Sequence, residues 1–311
     1  MKKSNCCRIR KNFMKNDEIL EKIKKYNWYH EIEIQNGIKT SAVDALEVDG
    51  KYQTHSSSKS HWNQKNVFNI LKNIDFKNKK VLDIGCRDGL FSFYAEKQGA
   101  KEIIGIDNDL SRGAVEFLIP YLKSKVKMYQ KNLYDITEKD FGKFDIIIFV
   151  GVLYHLRYPF YSFKKIKDIL NKDGKLILET GIYLDDNRRS ILYCPIENDS
   201  EFEKTSCTFF NVKGLNDSLK SMGFENEYYK TYNHKIKFRL FKNIIKFFLK
   251  FIFRKKYVFG IKTDTLGKFD QHVGSKVGPI TRGIFVYKIN NKIIKQYATN
   301  YWDQTHTFHS R

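Results

Sequence analysis

The sequence predicts an α/β chain built around a mostly parallel sheet with helices on both faces. Three observations carry this expectation. Short apolar runs alternate with helix-compatible segments from about residue 80 to residue 179. The first run, Val81-Leu82-Asp83-Ile84, stops at a glycine turn, Gly85-Cys86-Arg87-Asp88-Gly89, which leads directly into a helix-compatible stretch. A second run, Glu102 to Ile106, then delivers an acid, Asp107, about 20 residues beyond the first glycine, the spacing of a nucleoside-binding βαβ unit.

Taken in order, residues 15–27 carry acids first and lysines last, as a helix dipole prefers. Trp28-Tyr29-His30-Glu31-Ile32-Glu33-Ile34 alternates like a strand and ends at the turn dipeptide Asn36-Gly37. Residues 40–60 are polar and serine-rich, which predicts a loop, and Trp62 to Ile74 reads as a helix. Strands are expected near 80–84, 102–106, 126–130, 144–150 and 174–179, with helices near 89–98, 110–124 and 159–171. Asp173-Gly174 is expected to separate the last of these helices from its strand. Asn211 is placed to cap a helix that runs to Met222 and closes at Gly223. Residues 227–232 and 283–289 read as the final strands, and no internal repeat is present.

Between those last strands, roughly 233–280, lies an insertion. Lys242, Lys246, Lys250 and Arg254 recur every fourth residue among Phe, Ile and Leu, which predicts a basic amphipathic helix over 239–256. Such a helix either makes peripheral contact with a membrane or covers apolar surface on the domain or a partner subunit. The expected organisation is an N-terminal extension (1–60), a core (61–232), the insertion (233–280), and a final strand with tail (281–311).

The 311 residues, 41% of them hydrophobic, suffice for one substantial core plus additions. A net charge of +21 implies an anionic partner, or else a lysine-rich composition of the kind AT-biased genomes produce. Five cysteines, at 6, 7, 86, 194 and 207, form no C-x-x-C pair and have no histidine at zinc spacing, so no metal site is expected. Scattered thiols in odd number fit a reducing cytoplasm, with the amphipathic segment allowing placement at the inner membrane face. No uncharged run is long enough to span a bilayer, and Met1 to Phe13 is basic without the apolar centre of a signal peptide.

The glycine turn discriminates between cofactors. A dinucleotide site needs three glycines so that bare backbone can meet a pyrophosphate. Here Arg87 takes the middle position. S-adenosylmethionine (SAM) has no pyrophosphate, and Asp83 before the turn can face its ammonium group where it would repel a diphosphate. The pattern D-x-G-x-x-x-G with a downstream acid resembles the first motifs of class I SAM-dependent methyltransferases.

Further segments narrow the resemblance. Val150-Gly151-Val152-Leu153-Tyr154-His155-Leu156-Arg157-Tyr158-Pro159, Leu178-Glu179-Thr180 and Trp28-Tyr29-His30-Glu31-Ile32-Glu33 resemble the wobble-uridine tRNA carboxymethyltransferases and their relatives, over roughly residues 26–232 and again from Thr281 to Ile289. The resemblance implies a Rossmann-like seven-stranded sheet whose last two strands form an antiparallel hairpin. It implies that Asp83, Gly85 and Gly89 border the methionine part of the cofactor, Asp107 holds the ribose hydroxyls, Leu133 and Tyr134 flank the adenine, and Val150 lines the site. Tyr154 would contact the transferred group, and Arg282 would recognise the extra carboxylate of carboxy-SAM. Relatives that use carboxy-SAM also carry a Trp-Arg-Lys-Gly-Pro-Phe stretch whose lysine pairs with that carboxylate. Residues 40–60 contain no such stretch, and its tryptophan-rich sequel survives only around Trp62. A half-paired charge in a desolvated site is costly, so ordinary SAM is the expected donor.

For a hydroxyl acceptor, the candidate bases are His155 and His30, with Glu179 as a third. His155 can instead orient its loop, Tyr154 can align the nucleophile or simply pack, and Arg157 can meet an acceptor phosphate or carboxylate. The expected activity is O-methylation of a small-molecule or glycan acceptor; tRNA modification and non-catalytic SAM binding are the alternatives.

Overall fold

The computed structural model describes residues 14–40, 47–48, 51–52, 60–200, 204–232, 280–290 and 292. The expected amphipathic segment 239–256, Cys6, Cys7 and most of the serine-rich 40–60 stretch lie outside the described residues, as does the side chain of Trp62.

In chain order the strands are β1 (Glu33–Gln35), β2 (Ile38–Lys39), β3 (Glu47–Val48), β4 (Lys51–Tyr52), β5 (Lys80–Ile84), β6 (Glu102–Asp107), β7 (Lys127–Gln130), β8 (Phe144–Val150), β9 (Leu170–Tyr183), β10 (Leu192–Tyr193), β11 (Phe209–Phe210), β12 (Phe224–Thr231) and β13 (Ile280–Ile289). The helices are α1 (Asn16–Ile23), α2 (Ser60–Leu71), α3 (Leu90–Lys97), α4 (Ile119–Leu122), α5 (Glu138–Phe141), α6 (Pro159–Ile169) and α7 (Val212–Ser221).

Seven strands form the expected sheet in the order β7-β6-β5-β8-β9-β13-β12, and two short strands extend it to nine, β11 pairing parallel to the end of β9 and β10 antiparallel to β11. The five strands from β7 to β9 run parallel, and β13 enters antiparallel between β9 and β12. Side chains alternate across the sheet because successive Cβ atoms point to opposite faces. Leu82, Ile104, Ile147 and Leu178 pack on one face with α6 and α7. Val81, Ile103, Ile148 and Ile177 pack on the other with α1, α2 and α3. Both faces are therefore covered, which explains why these strands read as continuous apolar runs.

Several expectations are corrected. The strand expected at 174–179 runs from Leu170 to Tyr183. Asp173-Gly174 lies inside it, at an irregularity where Phe144 pairs with Leu170 but Ile146 pairs with Lys175. The helix expected over 110–124 forms over 112–122, but its middle, Ala114–Leu118, widens into a π turn that leads into α4, whose second residue is Pro120. Of the strand expected over 28–34, only β1 forms; it pairs with β2 across Asn36 and Gly37, both at positive φ as a tight hairpin turn requires. Residues 29 and 30 cannot join it because their backbone N–H groups donate to Asp88 instead. β10 and β11 were not expected; two residues each give no period to read. As expected, Asn211 caps α7, its Oδ1 accepting from Gly214 N–H at 2.7 Å.

Candidate active site

The strand order reverses direction beside β5, where one connection leaves toward β6 and the next toward β8. Ligands of open α/β sheets bind at such a point, beyond the carboxyl ends of the strands. A cavity of about 570 Å³ opens there.

Its floor is the glycine turn. Gly85 sits at φ 75°, and a Cβ there would collide with the Val152 side chain, so only glycine lets the chain turn this tightly under the loop after β8. Gly85 N–H bonds Ile106 O at 2.8 Å, tying the turn to β6. Arg87 N–H then donates to Asp107 Oδ2 at 2.9 Å, and Asp109 N–H donates to Oδ1 at 2.8 Å. These two bonds orient the Asp107 carboxylate on the cavity wall and leave lone pairs on both oxygens for a vicinal diol. Burial pushes the Asp107 carboxyl above its usual range, opposed by those two N–H bonds.

The opposite wall comes from strand ends brought together by the topology. Val150 ends β8, and Tyr154 follows it in a short 3₁₀ turn. The Tyr154 backbone carbonyl accepts Cys207 N–H at 2.8 Å and Thr208 N–H at 3.2 Å, which fixes the turn. Its ring is buried and stacks on Phe209. Over that ring lies Arg282, with Cζ 4.9 Å from the centroid. Arg282 Nη2 donates to Glu179 Oε2 at 2.7 Å and Nε donates to Oε1 at 2.5 Å, a bidentate pair with both side chains buried. Burial opposes the Arg282 charge, but the Glu179 carboxylate and Tyr154 outweigh it and hold the guanidinium protonated.

His30, Gly85, Asp107, Leu133, Val150, Tyr154, His155 and Arg282 thus converge on one cavity. His155 stands at the rim, exposed, with Nδ1 3.3 Å from both the carbonyl oxygen and Oγ1 of Thr205. Other expected residues lie off the wall. Asp83 does not face the cavity: it is buried beneath the turn, accepting from Ser92 Oγ at 2.6 Å, and desolvation pushes its carboxyl up to about 7. Gly89, at φ 81°, begins α3. Tyr134 turns outward into a cluster with Tyr158 and Tyr161, leaving Leu133 alone of that pair on the wall. Arg157 is exposed and off the wall, and Trp62 belongs to α2 with its side chain outside the described residues.

Sequence reasoning missed Asp88. It is fully buried and its Oδ2 accepts the N–H groups of Tyr29 (2.5 Å) and His30 (2.6 Å). An acid in the first turn after a glycine reads as a solvated helix start, so nothing local announces this role. Tyr29 and Gln64 also line the cavity. Among the described residues no cluster of three or more potential ligands could hold a metal ion, and no helix is long and apolar enough to cross a membrane.

A family model described as a methyltransferase domain matches residues 60–229. The tRNA U34 carboxymethyltransferase of Helicobacter pylori (strain Shi470) is 31% identical over 173 residues, covering 54% of this chain and 64% of that protein. The protein of the same name from Campylobacter hominis is 39% identical over 127 residues, covering 39% of this chain and 43% of its own. The chain thus spans less than two thirds of the length of these curated relatives. Among solved structures, the N-terminal domain of EvdMO1, crystallised in the presence of SAH and D-fucose, superposes with a TM-score of 0.53 at 13% identity, covering 90% of this chain and 98% of that one. At that identity the likeness concerns the fold.

Proposed function

Because this chain belongs to the methyltransferase domain family, matched over more than half its length, we propose that it transfers the methyl group of SAM to a hydroxyl of a sugar or other small-molecule acceptor. The observation that carries the reading is the Asp107 carboxylate. It is held by two backbone N–H bonds on the wall of a cavity whose floor is a glycine turn. The residues fit SAM: Asp107 for the ribose diol, the backbone at Gly85 for the methionine portion, and Leu133 and Val150 as apolar flanks for the adenine. A volume of about 570 Å³ falls in the range of small-molecule sites.

SAM supplies a methyl group already activated by its sulfonium. The protein's task is to hold acceptor oxygen, methyl carbon and sulfur in line, and such positioning contributes several kcal/mol, about 7 or more in favourable cases. Tyr29 offers an aromatic face for the C–H surface of a sugar, and the Glu179–Arg282 pair offers polar groups for its hydroxyls. Ordinary SAM is favoured over carboxy-SAM because the Arg282 charge is already matched by Glu179, and no lysine-bearing stretch in residues 40–60 supplies a second cation. A basic segment at 239–256 would bring the enzyme to a membrane surface where lipid-linked glycans reside, on the cytoplasmic side.

Two observations favour a second reading, modification of the wobble uridine of tRNA: the similarity to the two tRNA U34 carboxymethyltransferases above and the charge of +21. A SAM-binding protein without catalysis is the third. Methyl-labelled SAM incubated separately with total tRNA, a lipid extract and a nucleotide-sugar pool distinguishes them. Label in the sugar or lipid fraction is expected; label confined to tRNA supports the second reading, and none in any fraction, with SAM bound, the third.

A further inference from the structure

Two buried polar atoms lack hydrogen-bond partners: Nδ1 of His30, a residue of the cavity wall, and Oδ1 of Asp88, which is buried behind it. Their residues are already in contact. His30 Nδ1 is 3.6 Å from Asp88 Oδ2, the side chains are 10% and 0% exposed, and the His30 backbone N–H donates to the same Oδ2 at 2.6 Å. Leaving a buried donor or acceptor unpaired is costly, because its lost hydration is not replaced. A small rotation of the ring or the carboxylate pairs Nδ1–H with Asp88 and removes both penalties at once.

The surroundings hold His30 in this pose. Phe91 stands 5.9 Å from the imidazole centroid on one side, and Tyr29 meets it edge-on at 4.8 Å. Trp28 packs where a Cβ on Gly113 would stand, so the strap from Trp28 to His30 lies across the start of the helical segment after β6. Both the strap and the glycine turn therefore converge on the one carboxylate.

We propose that Asp88 is a positioning residue which fixes His30 as the Nδ1–H tautomer, leaving Nε2 as a proton acceptor for the acceptor hydroxyl. The inference rests on the methyl-transfer reading for its chemistry, though not for its geometry. The acceptor oxygen forms its bond to the methyl carbon as the carbon–sulfur bond breaks and its electron pair goes to sulfur. The hydroxyl proton passes to His30 Nε2, the Asp88 carboxylate stabilises the imidazolium, and water takes the proton afterwards. A carboxylate behind an imidazole performs the same orienting task in hydrolytic triads.

The charges facing His30 are consistent with this role. Burial lowers its pKa, Asp88 raises it and Arg87 lowers it, so the ring is neutral and able to accept a proton near pH 7. Across the cavity stand Asp107, His155 and the mutually compensated pair Glu179 and Arg282.

The test uses the full chain labelled with ¹⁵N-histidine; its spectra need no acceptor, and its turnover arm uses whichever of the tRNA, lipid or sugar fractions takes up label from SAM. Long-range ¹H–¹⁵N spectra report tautomer and titration for each imidazole, with His30→Gln assigning the His30 signals. The expected result is an Nδ1–H tautomer in the native protein, and in Asp88→Asn either a shift toward Nε2–H or a mixture, with the midpoint of the His30 titration moved down. An Nε2–H tautomer in the native protein, or spectra unchanged in Asp88→Asn, overturns the proposal. Asp88→Asn keeps one oxygen for the two strap N–H groups; should it still fail to fold, His30→Gln, which leaves those bonds intact, carries the test. It should lower turnover about 100-fold with SAH affinity, measured by calorimetry, within threefold of native, and turnover within threefold of native overturns the proposal. Absence of SAH binding by the native protein would count against the methyl-transfer reading instead, and the tautomer result would stand apart from it.

Discussion

In the proposed reading, Asp107 is the residue on which cofactor recognition depends most directly. Each oxygen is already oriented by a backbone N–H, so removing the carboxylate loses the diol contacts and leaves two N–H donors facing the ligand. Asp107→Ala is expected to weaken SAM binding at least 100-fold by calorimetry; unchanged affinity would refute the ribose assignment. Tyr154→Phe should keep SAM affinity within about threefold and reduce turnover by about tenfold, because the ring packing on Phe209 survives and only the hydroxyl is lost. Asp83 affects stability rather than binding. Its carboxyl is raised from 3.8 to about 7, so the folded chain holds a proton that the unfolded chain releases. This contribution is fully present below about pH 3.8 and is lost as pH rises through about 7, so it makes stability fall across that window. Asp83→Asn keeps the buried group neutral at every pH. Urea midpoints measured at pH 5 and pH 8 should therefore differ less in the variant than in the native chain, and equal differences would sink the account.

Among elements, the turn from β5 into α3 is the most constrained. Gly85 combines positive φ with a Cβ position occupied by Val152. Gly85→Ala should cost about 2–4 kcal/mol from left-handed strain plus overpacking, seen as a lowered thermal midpoint together with loss of SAM binding. Stability within about 0.5 kcal/mol of native would mean the turn is more forgiving than its geometry implies. The same elements explain what was legible in the sequence. β5, β6 and β8 were readable because both faces of the sheet are covered, which forces unbroken apolar runs such as Ile146-Ile147-Ile148-Phe149. Asn211 was readable because a cap acts through its own neighbours in sequence. The strap at residues 28–31 was not, because its backbone bonds go to Asp88, 58 or 59 positions away, while its side-chain alternation mimics a strand. Asp83 and Tyr134 were placed by motif position, and only the packing of Ser92 and of Tyr158 and Tyr161 turns them away from the cavity.

At the scale of the molecule, the proposed acceptors differ in charge, and charge is what salt can test. With a net charge of +21, non-specific affinity for tRNA is expected to fall steeply with salt, as counterion release demands. Methylation of a neutral sugar should change less than about twofold between 50 and 200 mM salt. A steep loss of sugar methylation over that range would point to an anionic acceptor. Deleting residues 239–256 should abolish binding to anionic liposomes while SAM affinity persists; equal liposome binding by both forms would reject membrane contact.

Finally, β13 inserts between β9 and β12 and carries Arg282 to a partner 103 positions earlier in the chain. A nascent polypeptide leaving the ribosome therefore exposes the glycine turn and Asp107 long before Glu179 has a counter-charge. Until residue 282 is translated, the half-built sheet holds an unmatched carboxylate at its ligand edge. Closure of the ligand edge therefore waits on β13, the last strand among the described residues to be made.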